Sequence, residues 1–335
     1  MLKKLFSMFA IFGLILVLAA CGGGSSASSG DGGSSEGSGA EGYPNKPIDI
    51  IVAYAAGGGT DTGARILKPY LEEELGVTVN IVNKPGGGGW VGWTELANAE
   101  PDGYTIGYIN SPNLMTGYLN PAFNRDESLE SFIPIANHVT DAGAIAIRPD
   151  DDRFSNIEEL IEYAKTHELT VTSTGVGSDD HYASLKMNDK LGTKFKPVHN
   201  KGSADSRAQV LGGHIDVLFA NVGEVFNYHK DGKLKVVATM GEERSPFLEK
   251  VPTLAEKGHE VYSWSSRGLA APKGVDPAKI EILQKALEKS IKNEKQIEQM
   301  SEMGLEVNYL EGESYMESLK QDEQDVKDLR DLLGW

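Results

Sequence analysis

Residues 48–61 read Ile48-Asp49-Ile50-Ile51-Val52-Ala53-Tyr54-Ala55-Ala56-Gly57-Gly58-Gly59-Thr60-Asp61. A short β-branched run passes through a glycine loop into a segment with Ala64, Leu67 and Leu71 at helical spacing. This spells a strand, a turn and a helix over 61–75. The theme recurs outward. A strand over 77–82 enters a second glycine loop and a helix over 91–99. Pro101-Asp102-Gly103 turns the chain into a strand over 105–109.

The middle of the chain repeats the pattern. Strands are expected over 142–147, 170–173, 195–198, 215–219 and 234–238. Helices are expected over 157–165 behind Ser155 as N-cap, over 180–191, up to 211, and over 222–230. The tail is helical. Asp276-Pro277 caps a helix running to 303, Gly304 stops it, and a last helix covers 314–333. Strand–helix alternation of this kind implies an α/β fold with parallel sheets flanked by helices. No repeat period of a solenoid is visible.

Four loops follow strands and precede helices: 55–61, 83–89 (Asn83-Lys84-Pro85-Gly86-Gly87-Gly88-Gly89), 175–178 (Gly175-Val176-Gly177-Ser178) and 200–203 (Asn200-Lys201-Gly202-Ser203). In an open α/β sheet, loops at the strand C-termini line the ligand crevice. Helix N-termini there offer unpaired N–H groups and a positive dipole end, and glycine admits a ligand to the backbone. A single such loop reads as a tight turn. Four at equivalent positions read as an anion site.

Composition agrees with local rather than global capture. The 335 residues carry 32 basic and 49 acidic side chains, a net charge of −17. That balance argues against nucleic acid and against drawing in an anion by overall field. Of the 39 glycines, about one residue in nine, many lie in the leader segment and not in the loops.

That segment begins with Lys3 and Lys4, an apolar stretch 5–20, and Leu18-Ala19-Ala20 before Cys21. It has the form of an export signal over 1–20, too short for a usual spanning helix. Residues 22–42 are mostly Gly and Ser, so 21–42 forms a tether that cannot bury enough apolar surface to order itself. The single cysteine excludes an intrachain disulfide framework. Its position directly after Leu-Ala-Ala resembles the bacterial lipoprotein box, which implies lipidation of Cys21.

Other chemistries find little support. In the first loop Gly57-x-Gly59 would need glycine at Thr62 for a dinucleotide fingerprint. The second loop satisfies that spacing with Gly87, Gly89 and Gly92, but a run of four glycines does so easily. No acidic residue ends the third strand to hold a ribose. The histidines are scattered without metal-ligand spacing, so neither metal nor cofactor is expected. Ser178 and His181 invite a nucleophile–base reading of a secreted serine hydrolase, but no GxSxG elbow or orienting acid accompanies them. Ser178 reads better as an N-cap or ligand contact, and the chain as no enzyme.

Tyr43-Pro44-x-x-Pro47-Ile48, the stretch Ile51 to Asp61 with Ala64-Arg65, Val82-Asn83-Lys84-Pro85-Gly86-Gly87-Gly88-Gly89-x-x-Gly92 and Pro101-Asp102-Gly103-Tyr104-Thr105 resemble the substrate-binding receptors of tripartite tricarboxylate transporters, the TctC or Bug family. Gly175-x-Gly177-Ser178-x-x-His181, Lys201-Gly202, Gly212-Gly213-x-Ile215-Asp216 and Gly268-Leu269-x-Ala271-Pro272 continue the likeness in order across 43–335. The resemblance implies a two-lobed periplasmic-binding-protein-like fold of type II. Lobe one would be 43–141 plus 262–335, and lobe two 142–261, closing on a small carboxylate.

Carried over from the family, lobe one would bind through Gly57, Gly58, Gly59, Thr60, Asp61, Gly86, Gly87 and Gly88, with Asn110 and Ser111 after the third strand. Lobe two would add Gly177, Ser178, His181, Lys201, Gly202 and Ser203. Two positions depart from the family: Asn221 where an aspartate is usual, and Ser266-Arg267 before Gly268. Arg267 could receive a second carboxylate bidentately, or be a surface or hinge arginine. The resemblance further implies delivery to one large and one small membrane subunit by a monomer. With the tether, that places it on the outer face of the cytoplasmic membrane. The 24 lysines to 8 arginines lean toward a single-membrane bacterium. A sensory module feeding a signalling partner would share the same site.

Overall fold

The computed structural model describes residues 40–335; the leader, Cys21 and the tether to residue 39 lie outside the described residues. β1 (Ile48–Val52) leads through the first glycine loop into α1 (Gly59–Leu75), and β2 (Val79–Asn83) through the second into α2 (Trp90–Ala97). β3 (Thr105–Ser111), α3 (Asn113–Leu119) and β4 (Phe132–Ile147) follow. Then come α4 (Ile157–Thr166), β5 (Leu169–Ser173), α5 (Asp179–Leu191), β6 (Phe195–His199), α6 (Ser203–Leu211), β7 (Leu218–Asn221), α7 (Val222–Lys230) and β8 (Lys235–Thr239). The chain ends with β9 (Trp264–Pro272), α8 (Pro277–Ile291), α9 (Glu294–Glu302), β10 (Val307–Glu311), α10 (Gly312–Asp328) and α11 (Arg330–Leu333).

The strands that carry the glycine loops are parallel, as their spacing implies: β1 to β2 and β3, and β5 to β6. The sheets are nonetheless mixed, because β9 runs antiparallel to β3 and β4. β4 serves two sheet portions. Its residues Phe132–Ala142 pair with β9, and Gly143–Ile147 pair with β7 and β8. Each portion has its own core. Ile48, Ile50 and Val52 pack on Leu67, Leu71, Leu283 and Leu287 on one side. Ile145, Ile147, Leu160, Ile161, Val171 and Phe219 form the other. Each such buried aliphatic side chain contributes about 1.5–3 kcal/mol.

β4 begins ten residues before the expected strand. Asn137, His138 and Asp141 interrupt its apolar pattern, yet all three are buried and internally paired. His138 bonds the Tyr108 hydroxyl through Nδ1 at 2.8 Å and Gln296 through Nε2 at 2.7 Å. β9 is equally hidden behind Ser265-Ser266-Arg267-Gly268. The N-cap of α4 is Asn156, which accepts the Glu159 N–H at 2.9 Å, while Ser155 donates to the Glu159 carboxylate. The expected helix to 303 breaks at Asn293, which caps α9 by accepting the N–H groups of Lys295 and Gln296.

Candidate functional site

The first and fourth loops face each other. A Cβ added to Gly58 would lie 3.1 Å from Ser203 Oγ, and one on Gly202 would lie 3.4 Å from Ala55 N. Arg207 of α6 donates to the Gly57 carbonyl at 2.8 Å. The second and third loops meet as well, since a Cβ on Gly175 would stand 2.8 Å from Gly88 Cα. Gly86, Gly87, Gly88 and Gly89 all have positive φ, from 58° to 133°, which L side chains rarely adopt. Four glycines in series are therefore a backbone requirement. Thr116 of α3 donates to the Gly177 carbonyl at 3.1 Å.

Between these loops lie two neighbouring hollows. The inner one, about 20 Å³, is bounded by Gly58, Gly59 and Thr60, by Tyr54, Asn110 and Asn113, and by Ser265 and Arg267. Thr174, Asp179, Ser203, Asn221 and Glu224 close it from the other side. The outer one, about 770 Å³, is a groove along Gly86–Gly89, Trp90, Thr174–Val176 and Lys201. Asn113 and Thr174 line both.

Thr60 and Asn110 bond across the inner wall, Asn110 Nδ2 donating to Thr60 Oγ1 at 3.0 Å. Arg267 is neither a surface arginine nor a free anchor. It is 2% exposed. Its guanidinium stands 3.1 Å from Asp141 Oδ2 and 3.3 Å from Glu224 Oε1, and donates to Asn221 Oδ1 at 2.8 Å. Asn221 in turn donates to Asp179 Oδ2 at 2.8 Å. Burial works against the charge on Arg267, but Asp141, Glu224 and Asp179 outweigh it. Burial pushes Asp141 up to about 7 and Asp179 up to about 6, with Arg267 opposing both. Arg267 thus reaches the inner hollow already flanked by Asp141 and Glu224, which any second ligand carboxylate would have to share, although its Nη1 makes no hydrogen bond. Gly59 sits directly over it, where a Cβ would fall 2.4 Å from Nη1.

Three expected contacts are placed elsewhere. Asp61 is buried, and its carboxylate accepts the Gly57 N–H, Arg65 Nε and Asn83 Nδ2, each at 2.9 Å. Burial pushes that carboxyl up, but these donors hold it below its usual range. Asp61 thus rivets the first loop to β2. Ser111 donates to Asp322 of α10, away from the inner hollow. His181 accepts the Gly177 N–H on Nδ1 at 2.9 Å, and burial with His199 nearby lowers it to about 4.

Ser178 is the N-cap of α5, its Oγ accepting the His181 N–H at 3.1 Å. Ser178 is fully buried, and its Oγ also meets Ser173 Oγ at 3.0 Å. Sequence reasoning missed Tyr54, Asn113, Thr174, Asp179 and Glu224. Glu224 carried a signal, since it stands three residues after Asn221 at a fifth strand-to-helix junction and forms a capping box with it. Arg125, which lines the outer groove, carried none.

A sequence model described as the tripartite tricarboxylate transporter family receptor, TctC, matches residues 64–331. The UPF0065 protein in gbd 5'region of Cupriavidus necator is 30% identical over 299 residues, 88% of this chain and 90% of that protein. Among solved structures, the periplasmic binding protein BugD is 30% identical with a TM-score of 0.80, covering 87% of this chain and 98% of BugD. MatC from Rhodopseudomonas palustris, with bound malate, shares the fold at 22% identity and a TM-score of 0.78, covering 86% and 99%. The fold is therefore the two-lobed α/β architecture of periplasmic binding proteins, and these proteins are solute-binding receptors, not enzymes. The chain belongs to the tripartite tricarboxylate transporter receptor family.

Proposed function

We propose that this receptor captures a small di- or tricarboxylate between its lobes and delivers it to the large and small membrane subunits of a tripartite transporter. The observation that carries the reading is the meeting of four strand-to-helix glycine loops around two neighbouring hollows, the first and fourth loops lining the inner one and the second, third and fourth the outer one. Backbone N–H groups at helix N-termini suit a carboxylate without requiring a cationic side chain. One ligand carboxylate sits at the run Gly86–Gly88 in the outer groove, and a water in the inner hollow links it to Gly58 and Thr60. Gly202 and Ser203 close over it from the other lobe. Malate in the structurally similar MatC supports this class of ligand.

The lobes divide as 43–141 plus 262–335 and 142–261. The partner change along β4 between Ala142 and Gly143 supports that boundary. No helix among the described residues is long and apolar enough to cross a membrane. We place the mature chain at the outer face of the cytoplasmic membrane, anchored as a monomer through lipid on Cys21, on the strength of the sequence around that residue. Calorimetric titration with citrate, tartrate, succinate, malonate, aromatic carboxylates and acidic amino acids tests the receptor reading. Saturable one-to-one binding of at least one is expected. Heats of dilution alone across the whole panel would overturn it.

A further inference from the structure

The two neighbouring hollows differ in charge. The inner wall presents Asp179 and Glu224 against Arg267, and Asp141 stands on the same guanidinium. A second ligand carboxylate directed inward would meet an excess of protein carboxylates. The outer groove presents Arg125 and Lys201 against Asp205. Glu127 acts on the charge of Arg125, but no ion pair among the described residues includes Arg125 or Lys201.

Arg125 is also held in place. Its guanidinium lies 4.5 Å from the centre of the Trp90 ring and 5.9 Å from that of Phe123. Stacking on an indole fixes the plane of a guanidinium and leaves its edge N–H groups free to grip a carboxylate. Its Nε is buried without a hydrogen-bond partner. The groove, about 770 Å³, is of a size that holds a small-molecule ligand, whereas the inner hollow of about 20 Å³ has room for little more than a water. Trp90 is itself 3% exposed and packs edge-on against Trp93 and Tyr118, so the platform under Arg125 is rigid.

Resting on the carboxylate reading above, we propose that the outer groove is the second half of the ligand site. Arg125 is its specificity-determining residue, with Lys201 facing it from the fourth loop. The ligand class is then an extended α,ω-dicarboxylate. One end meets the glycine loops, the methylene body lies along the groove beside the exposed side chains of Phe123 and Val176, and the far carboxylate pairs with Arg125. A compact ligand with all its carboxylates on neighbouring carbons would leave Arg125 unused.

Calorimetry with two matched series tests this: linear dicarboxylates from succinate to azelate, and the monocarboxylates of equal chain length. Wild-type protein is expected to prefer one of the longer dicarboxylates over its monocarboxylate by about ten- to hundredfold, the range of a charge-assisted hydrogen bond. Arg125→Gln is expected to abolish that preference by weakening dicarboxylates far more than monocarboxylates, with the circular-dichroism spectrum of a folded protein and a melting temperature lowered at most slightly by the lost stacking on Trp90. Arg125→Lys should restore part of it. Equal binding of both series by wild type, or equal weakening of both by Arg125→Gln, would overturn the Arg125 assignment and leave the carboxylate receptor standing. Absence of binding by every acid in both series and in the wider carboxylate panel would overturn both.

Discussion

Gly58 has φ −81°, a conformation open to any residue, so its identity answers to space and not to backbone strain. A valine there would press its side chain on Ser203 Oγ and the Ala55 carbonyl, across the gap that must admit ligand. Gly58→Val is expected to weaken carboxylate binding by about tenfold or more, ~1.4 kcal/mol, with the fold intact by circular dichroism. Normal affinity by calorimetry would show the first loop to be only a turn. Asp141 makes a different prediction. Burial raises its carboxyl to about 7, so between pH 4 and 7 the folded protein holds a proton that the unfolded chain has lost. Its contribution to stability is full below about pH 4 and declines as pH rises through 7. Buried His138, lowered to about 3 by burial and then by Arg267, works in the opposite direction. The comparison with Asp141→Asn isolates the aspartate. In urea unfolding, wild type should lose stability relative to the variant between pH 5 and pH 8; parallel profiles would contradict the assignment.

At the scale of elements, the glycine loops and the helices behind them were legible because glycine runs and apolar periodicity act locally. β1 and α1 stand within two residues of where residues 48–75 place them. The start of β4 and all of β9 were not legible, because their polar residues are satisfied by partners far away in sequence, such as Asn137 with the Asn308 carbonyl at 2.7 Å. The same holds for the site. Its glycines announced themselves, but the pairing of Arg267 with Asp141 and Glu224 joins β9, β4 and α7 and has no local signature. The break between α8 and α9 was missed for a subtler reason: the apolar stripe continues through it, and only the Asn293 cap interrupts the ladder. Asn293→Ala is expected to cost about 0.5–2 kcal/mol in chemical denaturation. No change in the midpoint would mean that packing alone, through Ile291 and Met300, sets the break.

At the scale of the whole molecule, a net charge of −17 is compatible with the proposed carboxylate site, because that site relies on backbone groups and a few placed cations rather than on the overall field. In the proposed division into lobes, the contacts of the first loop with the fourth, and of the second with the third, cross from one lobe to the other. A ligand that touches both sides shifts the population toward that arrangement. Small-angle scattering should therefore show a smaller radius of gyration with a bound dicarboxylate than without, and an unchanged radius at saturation would contradict closure. The most direct measurement is a crystal structure with a carboxylate that calorimetry has shown to bind. One carboxylate group is predicted within hydrogen-bond distance, directly or through one water, of the backbone N–H groups of Gly58, Thr60 or Gly86–Gly88, between the lobes. Ligand seated anywhere outside that cleft would contradict the account.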